Sequence, residues 1–266
     1  MSTATFSPDT RVRFGGVLAS EFTKLVTLRS IWIIAVAMLA AAALVAMAEA
    51  ENSTAPGVDP LSGVDTMLSV FWIVRIGTQL FVAALAVILV THEFSSGTIQ
   101  TSVISVPRRL PVLAAKAVVV VAVTTLLSLL SSLVQYAVTV PLLDSAGRGA
   151  SIADPAILKA VLADALYLVA VAVFALMLAT IVRNAAVAIT LVLAVLYGVI
   201  LAAGVLPAIA DVPGEYYFLS YAADMTTSAL YNPAAAADIV RNLVVTIAWL
   251  VVPGAVASVL FARRSV

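Results

Sequence analysis

The side chains able to do chemistry are few and far apart. Among 266 residues there is one histidine, His92, and no cysteine, which removes disulfides, thiolate metal sites and cysteine nucleophiles. An intramembrane hydrolase needs a nucleophile with its base, or a metal with several ligands. No apolar stretch holds such a set, and His92 reads as a residue at the edge of one. A phosphate-binding loop needs a lysine followed by serine or threonine, yet Lys24, Lys116 and Lys159 are followed by Leu25, Ala117 and Ala160. The chain by itself is not expected to hydrolyse ATP, and no catalytic, metal-binding or cofactor-binding residue is expected in it. What remains is polar groups inside apolar runs: Arg75 and Gln79 in one, Gln135 and Tyr136 in another. An arginine in that position either reaches for the interface along its own stem or faces a substrate path. Counted back from Val90, Arg75 lies about 6 Å inside the boundary at 1.5 Å per residue, and snorkelling explains it. No ionisable group is expected near the centre of a span, which disfavours a transporter driven by its own proton or sodium coupling.

These residues must be positioned by apolar helices. The chain is 63% hydrophobic and 11% charged, against about 25% charged for a soluble domain, so an all-α integral membrane protein is expected, as one domain over residues 1–266. Its formal net charge of zero gives no basic surface for nucleic acid. Six runs of spanning length appear: about 31–48, 67–90, 117–140, 165–182, 185–206 and 243–262. Pro253 and Gly254 are expected to kink the sixth. Six spans put both termini on one side, and that side holds ten of the 14 basic residues, so both termini are expected to be cytoplasmic. Ala46-Met47-Ala48 resembles a signal-peptidase site, but the basic and apolar regions before it are too long for a cleaved signal. The first span is expected to be retained.

Between the spans lie three informative stretches. Residues 1–13 read as a flexible tail. Residues 17–29 set Leu18, Phe22, Leu25 and Val26 on one helical face and Ser20, Thr23, Lys24 and Thr27 on the other, the pattern of an interfacial helix with its basic residues toward headgroups. The loop His92–Lys116 carries Ser95 and Ser96 as caps for a short, uncharged helix stopped by Pro107 and Pro111. It then carries Arg108 and Arg109. Such a helix reads equally as a docking element for a partner protein or as a connector with positive-inside arginines. On the other side, the segment Pro207–Arg241 holds Tyr216, Tyr217, Tyr221 and Tyr231, an aromatic belt with room for a short helix between Tyr216 and Leu230. Glu49–Thr66 and Pro141–Asp164 read as plain polar connections. In the fifth run Ala186, Thr190, Ala194, Gly198 and Ala202 recur every four residues, a small-residue face for close packing within the chain or against a second copy.

The chain resembles the membrane subunits (permeases) of bacterial type-2 ABC transporters. Three features carry the resemblance: Ser20-Glu21-Phe22-Thr23-Lys24-Leu25 with Leu28-Arg29-Ser30 ahead of the first span; Glu93-Phe94-Ser95-Ser96-Gly97-Thr98-Ile99 followed by Pro107-Arg108-Arg109 and Ala114-Ala115-Lys116; and six spans with a long outer segment between the last two. The resemblance implies a six-helix bundle with an N-terminal interfacial helix (Glu21, Phe22, Lys24, Leu25), a short cytoplasmic coupling helix over about Ser96–Ser105 and a short extracellular helix between spans five and six. It implies an ABC transporter exporter in the inner membrane: two permease copies, or a copy and a homologue, forming the translocation pathway, with ATP and Mg held in a separate ATP-binding subunit. Gly97, Thr98, Ile99, Arg108 and Arg109 would meet that subunit, and Glu93 would fix the loop. Arg75, Gln79, Gln135 and Tyr136 would face the pathway. The apolar spans suit a lipid-like or amphipathic cargo. A membrane-anchored assembly or immunity protein is the alternative, and an ion-coupled secondary transporter the third.

Overall fold

With no water in the hydrocarbon core, a spanning segment must satisfy its backbone internally, and the apolar runs of this chain do so as helices. The computed structural model describes residues 14–57, 61–96, 110–209 and 218–263. Among the described residues all regular structure is helical: α1 (Phe14–Thr27), α2 (Arg29–Thr54), α3 (Gly63–Ser96), α4 (Leu110–Ser145), α5 (Pro155–Val182), α6 (Ala185–Ile209), α7 (Leu219–Ser228) and α8 (Ile239–Arg263), with a 3-10 turn at Pro233–Ala236. Five helices, α2, α3, α4, α5 and α8, are long and apolar enough to cross a membrane. The protein is a multi-pass helical membrane protein. In α6 the apolar stretch Ala185–Gly198 is shorter.

Local chemistry sets the breaks. Leu28 adopts extended backbone between α1 and α2. The Ser62 hydroxyl accepts from the Asp65 N–H at 3.0 Å and donates to the Asp65 carboxylate at 2.6 Å, which caps α3. Asp154 caps α5 by accepting from the Ala156 N–H at 2.8 Å, with Pro155 in the first turn. Arg183 ends α5 in the left-handed region at φ 60°, and Asn184 Oδ1 accepts from the Val187 N–H at 3.1 Å to start α6.

Every expected span lies within a longer helix. Counting residues between charges undercounts each helix, because backbone hydrogen bonding continues through charged positions such as Glu93, Lys116 and Asp164, which are buried and paired. The largest correction is α5, which begins at Pro155 and not near 165. Likewise α4 runs through Pro141 to Ser145, so Pro141–Asp164 is mostly helix and not a plain connection. Most of Glu49–Thr66 is also helical. The N-terminal helix starts at Phe14 and ends at Thr27. Ser95 and Ser96 are the last residues of α3. The segment 97–109 that follows, with Gly97, Thr98, Ile99, Arg108 and Arg109, lies outside the described residues. So do the expected tail 1–13, Tyr216 and Tyr217.

The centre of the bundle is α3 against α5. One apolar cluster joins Val82, Ala86 and Leu89 of α3 to Leu168, Val171 and Ala175 of α5, and takes in Met38 of α2, Val120 of α4, Val192 of α6 and Leu219 of α7. By contrast α8 touches this core through few side chains, Trp249 meeting Phe174 edge to face at 5.6 Å, while Val244, Ile247 and Val251 are exposed.

Candidate functional site

Among the described residues two groups of charged side chains are buried in the bundle, and both are tied to α3. Glu93 stands 18 residues after Arg75 on this helix, which separates them by about 27 Å at 1.5 Å per residue.

The first group joins α1, α3 and α4. Lys116, in the second turn of α4, is 2% exposed and places its ammonium 2.5 Å from Glu21 Oε2 and 2.6 Å from Glu93 Oε1. Lys24 completes the set, 2.6 Å from Glu21 Oε1 and 2.9 Å from Glu93 Oε1. Two carboxylates and two ammoniums cancel, which a buried set requires. Burial alone would lower the Lys24 pKa, but hydrogen bonds and charge from Glu21 and Glu93 outweigh it and raise it. Glu93 Oε2 is buried with no hydrogen-bond partner among the described residues, at the point where 97–109 begins.

This geometry sets which side of the N-terminal helix meets the bundle. Its buried face is Val17, Glu21 and Leu25, while Phe22 is 53% exposed. Lys24 is engaged in ion pairs and does not simply face headgroups. The amphipathic pattern identified a helix, but a buried carboxylate matched by a lysine from another helix reads in sequence as a polar residue facing out.

The second group joins α3, α5 and α7. Arg75 is 5% exposed. Its Nη2 lies 2.6 Å from Asp224 Oδ1, its Nε 3.9 Å from Asp164 Oδ1, and its guanidinium carbon 4.9 Å from the ring centre of Tyr167. The Ser128 hydroxyl donates to Asp164 Oδ2 at 3.1 Å, the Tyr167 hydroxyl to Gln79 Oε1 at 2.6 Å, and the Trp72 indole N–H to Asp224 Oδ2 at 3.3 Å. The Tyr197 hydroxyl donates to the Ile76 carbonyl. Arg75 therefore does not snorkel. It is held inside by carboxylates from two other helices, where snorkelling to the interface was expected. A cavity of about 260 Å³ opens beside it, lined by Trp72, Gln79, Tyr167, Tyr197, Tyr221 and Asp224.

The structure thus brings Arg75 and Gln79 together but not with Gln135 and Tyr136. The Tyr136 hydroxyl accepts from the Ile152 N–H and donates to the Ala150 carbonyl, both at 2.9 Å, and so braces the turn between α4 and α5. Gln135 donates to Ser131 Oγ at 3.0 Å within α4. It belongs to a buried polar face that also holds Thr124, Ser128, Ser132 and Thr139. Their three- and four-residue spacing was legible in the sequence. Asp164 was not, because it falls outside an apolar run counted from Ala165. Asp224 carries no local signal at all. Of the small-residue series, Ala186, Thr190 and Ala194 are exposed on the surface of the chain and do not pack within it. Gly198 instead faces Phe218, whose ring would lie 2.8 Å from an added Cβ. The intrachain face of α6 is Ala188, Val192 and Leu196.

Among the described residues no three His, Cys, Asp or Glu side chains gather as a metal site. The model of one protein family, described as a protein of unknown function (DUF2705), matches residues 25–265. No curated protein matches the chain.

Proposed function

This chain belongs to the DUF2705 family of proteins of unknown function, and we propose that it is the transmembrane subunit of an ATP-driven exporter whose ATP-binding subunit is a separate chain. In this reading α6 is a sixth span, both termini are cytoplasmic in the inner membrane, and α7 is the short external helix between the last two spans.

The observation that supports the reading is the quartet Glu21, Lys24, Glu93 and Lys116. The segment 97–109, which the resemblance nominates for docking on the ATPase, leaves α3 four residues after Glu93 and enters α4 seven residues before Lys116. Both flanks of the segment are bonded to α1 by ion pairs of 2.5–2.9 Å. A push on the segment is then delivered to α1, α3 and α4 together, as a rigid-body transition between two packings requires. The ATP and Mg belong to the partner, and this chain supplies the lever. Ala186, Thr190 and Ala194, small and exposed on α6, offer a face on which a second permease copy can approach closely.

The test is an affinity pull-down of the tagged protein from mild detergent, with mass spectrometry of what copurifies. A P-loop ATPase in about equal amount, lost when residues 97–105 are scrambled, is the expected result. A partner without a P-loop, bound to an intact and monodisperse protein, would replace the permease reading with that of an anchored assembly or immunity protein.

A further inference from the structure

We propose that the cavity beside Arg75 is a binding site for an organic cation, an ammonium carried on a compact apolar body. With the exporter reading as premise, amphipathic cations are the class of cargo this chain handles.

Arg75 is met by Asp224 at 2.6 Å, by Asp164 at 3.9 Å and by the ring of Tyr167, so its positive charge is already answered from three directions. Two carboxylates against one guanidinium leave the group one formal negative charge in excess. In a site of low dielectric an unbalanced charge is costly. An added anion would worsen the imbalance, and an added cation removes it. The excess is reachable from the cavity: Asp224 lines it, with 18% of its side chain exposed, and among the described residues Oδ2 of Asp224 receives a long bond from the Trp72 indole at 3.3 Å.

The walls suit the same ligand. Trp72, Tyr167, Tyr197 and Tyr221 all line the cavity, and the faces of such rings attract a cation. Ile76 and Leu196 add apolar surface, and the remaining polar side chains are Gln79, Ser220 and Arg75 itself, whose charge Asp224 and Asp164 already meet. An apolar cavity of about 150 Å³ holds a benzene molecule, so about 260 Å³ admits a ring together with its ammonium head. Few polar groups among aromatic walls are also the usual composition of a small-molecule pocket.

The experiment is isothermal titration of the purified full chain in detergent with benzyltriethylammonium, and with benzenesulfonate as the anion of similar body. Saturable binding of the ammonium is expected, with Asp224→Asn weakening it tenfold or more. Trp72→Leu, a change on a half-exposed residue, should weaken it several-fold and decides the matter if Asp224→Asn does not fold. Tighter binding of benzenesulfonate, no saturable binding of the ammonium to folded protein, or wild-type affinity in the folded variants would each overturn the proposal. The titration needs no ATPase, so its failure leaves the exporter reading standing. A pull-down without an ATPase would likewise leave the binding site standing.

Discussion

Among the described residues Lys116 is the one cation that contacts both Glu21 and Glu93 while itself almost wholly buried. Removing one partner of a buried ion pair strands the others, at a cost of about 3–5 kcal/mol. Lys116→Met should therefore lower the melting temperature in detergent sharply. Adding Glu93→Gln should recover part of the loss, because the two changes share one network. Strict additivity of the two would show that the ion pairs do not act as a unit. Lys24 has a different signature. Its pKa is raised above the ordinary 10.5 by the two glutamates, so its contribution is fully present below pH 10.5 and disappears only as pH climbs through the raised value. The melting-temperature gap between wild type and Lys24→Gln should accordingly stay constant from pH 6 to pH 9 and narrow only in strong alkali. A gap that shrinks between pH 6 and pH 9 would mean that another group sets it.

At the scale of elements, two glycines of α3 separate packing from propensity. A Cβ on Gly63 would come within 2.1 Å of the Arg148 carbonyl oxygen and 2.8 Å of that of Gly149. Both are backbone atoms of the turn between α4 and α5, which Tyr136 already braces. Gly63→Ala should cost about 1–3 kcal/mol by forcing these elements apart. A Cβ on Gly77 meets nothing within 4 Å, so Gly77→Ala should be neutral or stabilising by about 0.5–1 kcal/mol through helix propensity. Thermal unfolding of the two variants side by side checks both, and equal effects would contradict the packing at Gly63. The helices themselves were legible because lipid leaves an apolar run no other backbone solution. Their ends were not. The run that starts at Ala165 hid ten helical residues, including Asp164, because a charge was taken as a boundary when it was a paired interior group.

For the whole molecule, the absence of cysteine makes orientation directly measurable. Thr23 on α1 and Ala146 in the turn after α4 are both exposed. A membrane-impermeant maleimide applied to intact cells should label Ala146→Cys and should label Thr23→Cys only after permeabilisation, given the lysine and arginine bias toward the side of the termini. The reverse pattern would invert the topology and move the cavity beside Arg75 to the cytoplasmic side. The class of protein, the helical segments and the amphipathic helix ahead of them could all be read along the chain. These follow from composition and from periodicity along one chain, which neighbouring residues carry between them. Which charges meet, by contrast, is set by the packing of the helices. Glu21 finds Lys116 across 95 positions and Arg75 finds Asp224 across 149. No local pattern encodes such a partner, because a buried charge is tolerated only where another helix happens to deliver its opposite.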